Sequence, residues 1–164
     1  TAMTGSQPHP GTGVTLMGPK RQPVSIPRVL EAVGFDCIVH ANPLDLDVSV
    51  AAVREALDHE GPSAVLFESP CIQLVKPDAP AVVDAETCTG CKKCITEIGC
   101  PGIGFDADAR GPRSKQRGQA FVDPSLCNGC GLCVQVCPFD ALSMTEPQTD
   151  VSRETSASEG GCHA

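Results

Sequence analysis

The spacing of apolar and polar positions divides the chain into two regimes. Between residues 25 and 68, apolar side chains recur with the periods of regular elements. Ile26, Val29, Leu30 and Val33 lie at helical spacing. Ser25 can cap the helix they define, Pro27 suits its first turn and Gly34 marks its stop, so a short helix is predicted over 25–34. The run Phe35 to His40 predicts a strand. Asn42-Pro43 turns the chain, and Val50, Val53 and Leu57 share one face of a second helix, roughly 48–59, which Gly61-Pro62 ends. Ala64 to Glu68 predicts a second strand. The order helix–strand–helix–strand belongs to an α/β sheet with parallel neighbours. Two strands cannot close such a sheet, so residues 1–75 are expected to be the tail of a larger domain.

The flanking stretches follow other patterns. Residues 1–23 are punctuated throughout by Gly and Pro and read as loop. Within them Gly11-Thr12-Gly13 lacks a third glycine at dinucleotide-binding spacing, and Gly18-Pro19-Lys20 is not a phosphate loop. Lys76 to Pro80 reads as a linker. Beyond it the pattern repeats: Ala81-Val82-Val83-Asp84 answers Ala120-Phe121-Val122-Asp123, and Gly104-Phe105 is aligned with Ala141-Leu142. Such self-similarity implies two copies of one small unit that bury a core only when paired. Residues 106–118 join the copies and read as a solvated hairpin tip; a second reading makes its Arg110, Arg113, Lys115 and Arg117 a docking site for a partner. From Glu146 onward the chain is polar and is expected to be disordered.

The cysteines change this picture most. Eight of the 11 fall in two copies of C-x2-C-x2-C…C-P: Cys88, Cys91, Cys94 and Cys100-Pro101, then Cys127, Cys130, Cys133 and Cys137-Pro138. That spacing is the signature of a bacterial two-cluster [4Fe–4S] ferredoxin. A cubane presents four iron corners, and thiolates at i, i+3 and i+6 let one tight loop take three of them. Gly90, Gly129 and Gly131 supply the permissive backbone. The cysteine before proline ligates the other cluster in such proteins. Cys88, Cys91, Cys94 and Cys137 are therefore assigned to one cluster, and Cys127, Cys130, Cys133 and Cys100 to the second. Five residues separate Cys94 from Cys100 but three separate Cys133 from Cys137, which makes Cys100 the least regular ligand. Zinc needs four ligands per site and gives no reason for a cysteine at i+6 or for Cys-Pro. Disulfides suit neither the close spacing nor a reducing compartment. Cys37, in a strand, and Cys71, just after one, read as small hydrophobes, Cys162 as an incidental thiol. His9, His40, His59 and His163 form no spaced set.

Composition agrees. With no Trp, no Tyr and five Phe, the aromatic supply for a core is thin, and metal–thiolate bonds can replace part of the missing burial. The net charge of −8 argues against nucleic acid and anionic membrane, and suits a basic patch on an electron-transfer partner. No apolar run approaches the ~18 residues of a membrane span, and residues 1–23 lack the layout of a signal peptide. The expected location is cytoplasmic.

Two stretches together resemble one family. Thr1-Ala2-Met3-Thr4-Gly5, Gln7 and Pro10-Gly11-Thr12 are similar to the loop after the metal-binding segment of thiamine-diphosphate domains in 2-oxoacid:ferredoxin oxidoreductases. Gly61-Pro62-Ser63, Pro70-Cys71, Val83-Asp84 and the Cys88 to Pro101 motif resemble the C-terminal part of the indolepyruvate ferredoxin oxidoreductase α subunit, whose pattern also carries the longer spacing before Cys100. The resemblance implies three segments: 1–78, the end of a thiamine-diphosphate-binding α/β domain; 79–146, an α+β two-cluster ferredoxin-like domain; and 147–164, a disordered tail. It implies oxidative decarboxylation of an arylpyruvate on thiamine diphosphate with Mg2+, acyl transfer to coenzyme A, and electrons passing through two [4Fe–4S] clusters to an external ferredoxin. A second (β) subunit is implied as partner. Met3, Thr4 and Gly5 would lie near the thiamine, and this segment alone would be inactive. The alternatives are a free-standing ferredoxin-like carrier and a pyruvate or branched-oxoacid member of the same superfamily.

Overall fold

A computed structural model describes residues 8–72, 75 and 79–145, which fall into two compact units. Met3, Thr4 and Gly5, most of the expected linker and the expected tail with Cys162 lie outside the described residues.

The first unit carries α1 (Ile26–Ala32), β1 (Cys37–Ala41), α2 (Leu46–Asp58) and β2 (Ser63–Phe67), after a short 3₁₀ turn at Pro10–Thr12. Ser25 caps α1, its hydroxyl accepting from the Arg28 N–H. At the other end Gly34 takes φ +97°, its N–H reaches the Glu31 carbonyl and the Phe35 N–H reaches that of Leu30. That pair of bonds is a Schellman stop. Asp45 caps α2 by accepting from the Val48 N–H at 3.1 Å. β1 and β2 pair in parallel, Cys37 opposite Ser63 and Ala41 opposite Phe67, and α2 is the crossover that parallel strands require.

Small residues govern the packing here. Ala52 and Ala56, one turn apart on α2, are buried, and the core comprises Cys37, Val39, Ala41 and Ala52 with Val65 against it. The stripe that periodicity singles out, Val50, Val53 and Leu57, is exposed. It lies roughly 110° around the axis from the alanines at 100° per residue. Alanines let a helix approach a sheet closely, so they take the inner face although larger apolar residues are at hand. Cys37 is fully buried, as expected of it, but it is disulfide-bonded and so not the free thiol that reading implied; Cys71 is half-buried.

The second unit repeats strand, loop, short helix, strand. β3 (Ala81–Val83), α3 (Lys93–Thr96) and β4 (Ile103–Asp106) form one copy; β5 (Gln119–Val122), α4 (Leu132–Gln135) and β6 (Leu142–Met144) form the other. Each copy's first strand pairs with the other copy's last: β3 with β6 and β5 with β4, both antiparallel. β3 and β6 belong to different copies, which interlocks the repeats. The core is Ala81, Cys94, Ile103, Ala120, Cys133 and Leu142.

Strand register corrects the alignment of the repeats. Val83 pairs with Leu142 and Val122 with Ile103; the Asp84 N–H bonds to the Ala141 carbonyl and the Asp123 N–H to that of Gly102. Ile103 is therefore the counterpart of Leu142, and Gly102, not Gly104, that of Ala141. The two residues added before Cys100 are removed again after it, so third cysteine and strand are equally spaced in both copies. Only the Cys-Pro has moved along a connection of constant length.

Candidate metal centre

The backbone around each cysteine loop is set by left-handed residues. Gly90 and Gly129 have φ +68° and +72°; Lys92 and Gly131, at the starts of α3 and α4, have +64° and +76°. Periodic left-handed steps turn successive cysteines towards a common side. Lys92 is the departure from glycine, at a cost of about 1–2 kcal/mol for such a conformation. Its Nζ stands 4.0 Å from the centroid of the Phe105 ring, a cation–π contact that offsets part of this.

Each loop is anchored by an aspartate at the end of the preceding strand. Asp84 accepts from the Glu86 N–H at 2.9 Å and from the Thr87 hydroxyl. Asp123 accepts from the Ser125 N–H at 2.8 Å and hydroxyl at 2.6 Å. The carbonyls of the same two residues receive the N–H of Cys88 and of Cys127. These side-chain bonds hold both carboxyls below their ordinary value of 3.8. The repeat of Val-Asp was visible in the sequence, but its role as an anchor was not.

The eight cysteines assemble as two sets. Cys88, Cys91, Cys94 and Cys137 line one cavity; Cys100, Cys127, Cys130 and Cys133 line another. The free space is ≈ 350 Å³ in the first and ≈ 340 Å³ in the second, open mouths included. Each set takes three thiols from one loop and the fourth from the other copy. Burial, then the charges of Cys91, Cys137 and Cys88, pushes the Cys94 thiol up. Cys133 is pushed up to about 11 by burial and by Cys130, Cys127 and Cys100. Thiols so placed ask for a strong cationic occupant that can displace their protons. Among the described residues no three His, Cys, Asp or Glu side chains converge closely enough to hold one metal ion. The thiols surround a space, as ligands to the separate corners of a cluster must.

Polar detail distinguishes the two cavities. The Ala141 N–H donates to Cys137 Sγ at 3.3 Å. Thr89, which lines the first cavity, has a buried hydroxyl oxygen with no partner among the described residues. Its counterpart in the second copy is Asn128, whose side chain accepts from the Cys130 N–H at 3.2 Å.

Residues 106–118 do connect the antiparallel β4 and β5, and the side chains of Arg110, Arg113, Lys115 and Arg117 are exposed. They are not a loose tip, however. Ser114 is fully buried and bonds to Gly111 through its hydroxyl. Buried Gln119 donates to the Ala85 carbonyl at 2.6 Å. A Cβ on Gly90 would lie 2.3 Å from the Gly118 carbonyl oxygen, so the connection is seated against the first cysteine loop.

This fold and these paired thiol sets define a class, the ferredoxin-type iron–sulfur domain. The family description "4Fe-4S binding domain" matches residues 85–106 and, in a related form, residues 120–143. Curated relatives carry the likeness across most of the chain. The indolepyruvate oxidoreductase subunit IorA of Pyrococcus horikoshii is 40% identical over 150 residues, covering 87% of this chain and 22% of its own length. IorA of Methanothermobacter marburgensis is 35% identical over 144 residues, with the same coverage, and that of Archaeoglobus fulgidus 32% over 148. The chain is a relative of these oxidoreductase subunits and spans about a fifth of their length (22%). Among the described residues no helix is long and apolar enough to cross a membrane.

Proposed function

We propose that this chain is the electron-wiring segment of a thiamine-dependent 2-oxoacid oxidoreductase, with two [4Fe–4S] clusters. One observation carries the reading: two cavities, each ringed by four thiols, three from one loop and one from the other copy. In this reading Cys88, Cys91, Cys94 and Cys137 hold the first cluster, and Cys100, Cys127, Cys130 and Cys133 the second. When bound, the clusters supply one-electron storage and transfer. The chain's own residues position the thiols, bury those of Cys88, Cys94 and Cys133, and donate the Ala141 N–H to Cys137 Sγ. A cytoplasmic, reducing setting suits such thiolates.

The relatives' name supports indolepyruvate, or another arylpyruvate, as the substrate of the complete enzyme. Thiamine diphosphate with Mg2+, coenzyme A, an external ferredoxin and a second subunit belong to the same proposal. So does a place for Met3, Thr4 and Gly5 beside the thiamine. The parallel β1–α2–β2 unit favours this over a free-standing carrier, which has no use for it. The boundaries proposed for the parts are 1–78, 79–146 and 147–164.

Anaerobic reconstitution tests the reading. The chain should turn brown and take up about eight iron and eight sulfide per chain, yet should not decarboxylate indolepyruvate by itself. A colourless chain holding zinc would overturn the cluster assignment. Turnover by the isolated chain would overturn the division of labour.

A further inference from the structure

The two cavities differ in their charged surroundings. Among the described residues the second unit has six basic side chains: Lys92, Lys93, Arg110, Arg113, Lys115 and Arg117. All six are exposed, and none falls between residues 118 and 145. Half of the 12 basic groups of an otherwise acidic chain are thus gathered within 26 residues, two in the copy that supplies Cys88, Cys91 and Cys94 and four in the connection that follows it.

Structure ties these charges to the first cavity. Lys92 and Lys93 line it, as does Phe139. The Arg113 guanidinium lies 5.4 Å from the centroid of the Phe139 ring. The Cβ of Arg117 would be 3.1 Å from one built on Gly90. Buried Ser114 and Gln119 hold in shape the connection that carries Arg113, Lys115 and Arg117. Cys91, of the same set, is exposed. The second cavity is lined instead by neutral groups, among them Ile98, Asn128 and Val122.

From this we infer that the cationic rim formed by Lys92, Lys93, Arg113, Lys115 and Arg117 is the docking face for an acidic one-electron carrier protein, and that electrons leave through the Cys88–Cys94 site. The inference rests on the cluster reading proposed above. A rim of fixed cations steers an acidic partner to the point where a thiolate is exposed, and mainly raises the rate of encounter. Nucleic acid is the less suitable polyanion, because beyond this rim the chain's net charge of −8 repels an extended ligand.

The test uses the reconstituted full chain, a small acidic plant-type ferredoxin as probe, and stopped-flow electron transfer at low and at physiological ionic strength. The variant Arg113→Glu/Lys115→Glu/Arg117→Glu should slow the second-order rate about tenfold or more at low salt and flatten its salt dependence. Arg54→Glu, at an exposed position of α2, should change neither. The neutral set Arg113→Gln/Lys115→Gln/Arg117→Gln is the second arm, should charge reversal impair folding, and iron content reports whether the fold is intact. The docking face is overturned, with the clusters intact, if an iron-loaded variant reacts as fast as the parent. It is equally overturned if the parent rate ignores salt, or if a DNA oligonucleotide competes as well as unlabelled ferredoxin. A parent chain that takes up no iron overturns the cluster reading, and this inference with it.

Discussion

Cys100 shows how a single residue can stray from a motif and keep its place. Two extra residues precede it, yet the structure seats it with Cys127, Cys130 and Cys133 because the connection after it is two residues shorter. Cys100→Ala should therefore lose iron from the second site while leaving the first loaded. Iron analysis with EPR should find about half the iron of the parent, or a [3Fe–4S] signal, and Cys71→Ala should leave the iron unchanged. Thr89 makes a second residue-scale case. Its buried hydroxyl lacks a partner among the described residues and lines the first cavity. A donor to cluster sulfur favours the reduced, more negative state. Thr89→Val should lower the potential of the first cluster, leave that of the second in place and keep the iron content; potentiometric EPR titration reads all three.

At the scale of elements, the loops depend on the strands that deliver them. Asp84 and Asp123 end β3 and β5 and bind the first turn of each cysteine loop. Hydrogen bonds lower both carboxyls from 3.8. Their stabilisation is therefore complete above pH 3.8 and is lost as pH falls through the lower, folded values. The double variant Asp84→Asn/Asp123→Asn should be less stable at pH 7 and should lose less stability than the parent between pH 4 and pH 2, as measured by urea unfolding. Elements of this kind were largely legible in the sequence. Helices, strands and the parallel pair followed from periodicity, capping and Gly-Pro stops, and the two thiol sets followed from spacing. What was not legible depended on packing across distance. Ala52 and Ala56 face the strands although valines are available, since closeness of approach outweighs side-chain size. The offset of the repeats was hidden because Cys-Pro is a more conspicuous landmark than strand register. The seating of residues 106–118 turns on Ser114, Gly118 and Gln119, whose burial no local pattern announces.

For the molecule as a whole, the proposed clusters and the fold should be linked. The second unit's core has six buried residues, two of them the cysteines Cys94 and Cys133. Ala81 and Ala120 add little apolar area, so on the proposed reading thiolate–iron bonds would carry much of the organisation. Iron removal by an anaerobic chelator should collapse the second unit's hydrogen-exchange protection, including that of the Gln119 and Asp123 amides, while the β1–β2 amides of the first unit keep theirs. Charge is unevenly spread as well, with cations beside the first cavity and none in the second copy. Fixed positive charge favours the more negative, reduced state, so on the proposed reading the first cluster should have the higher potential and draw electrons towards it.

On the proposed reading, eight thiols in two interlaced sets hold a pair of cubanes. EPR of the dithionite-reduced, anaerobically reconstituted chain probes it most directly. Two neighbouring cubanes should give a broadened spectrum of two interacting spins that integrates to about two per chain. A single isolated spin, or no signal from a chain loaded with metal, would contradict it.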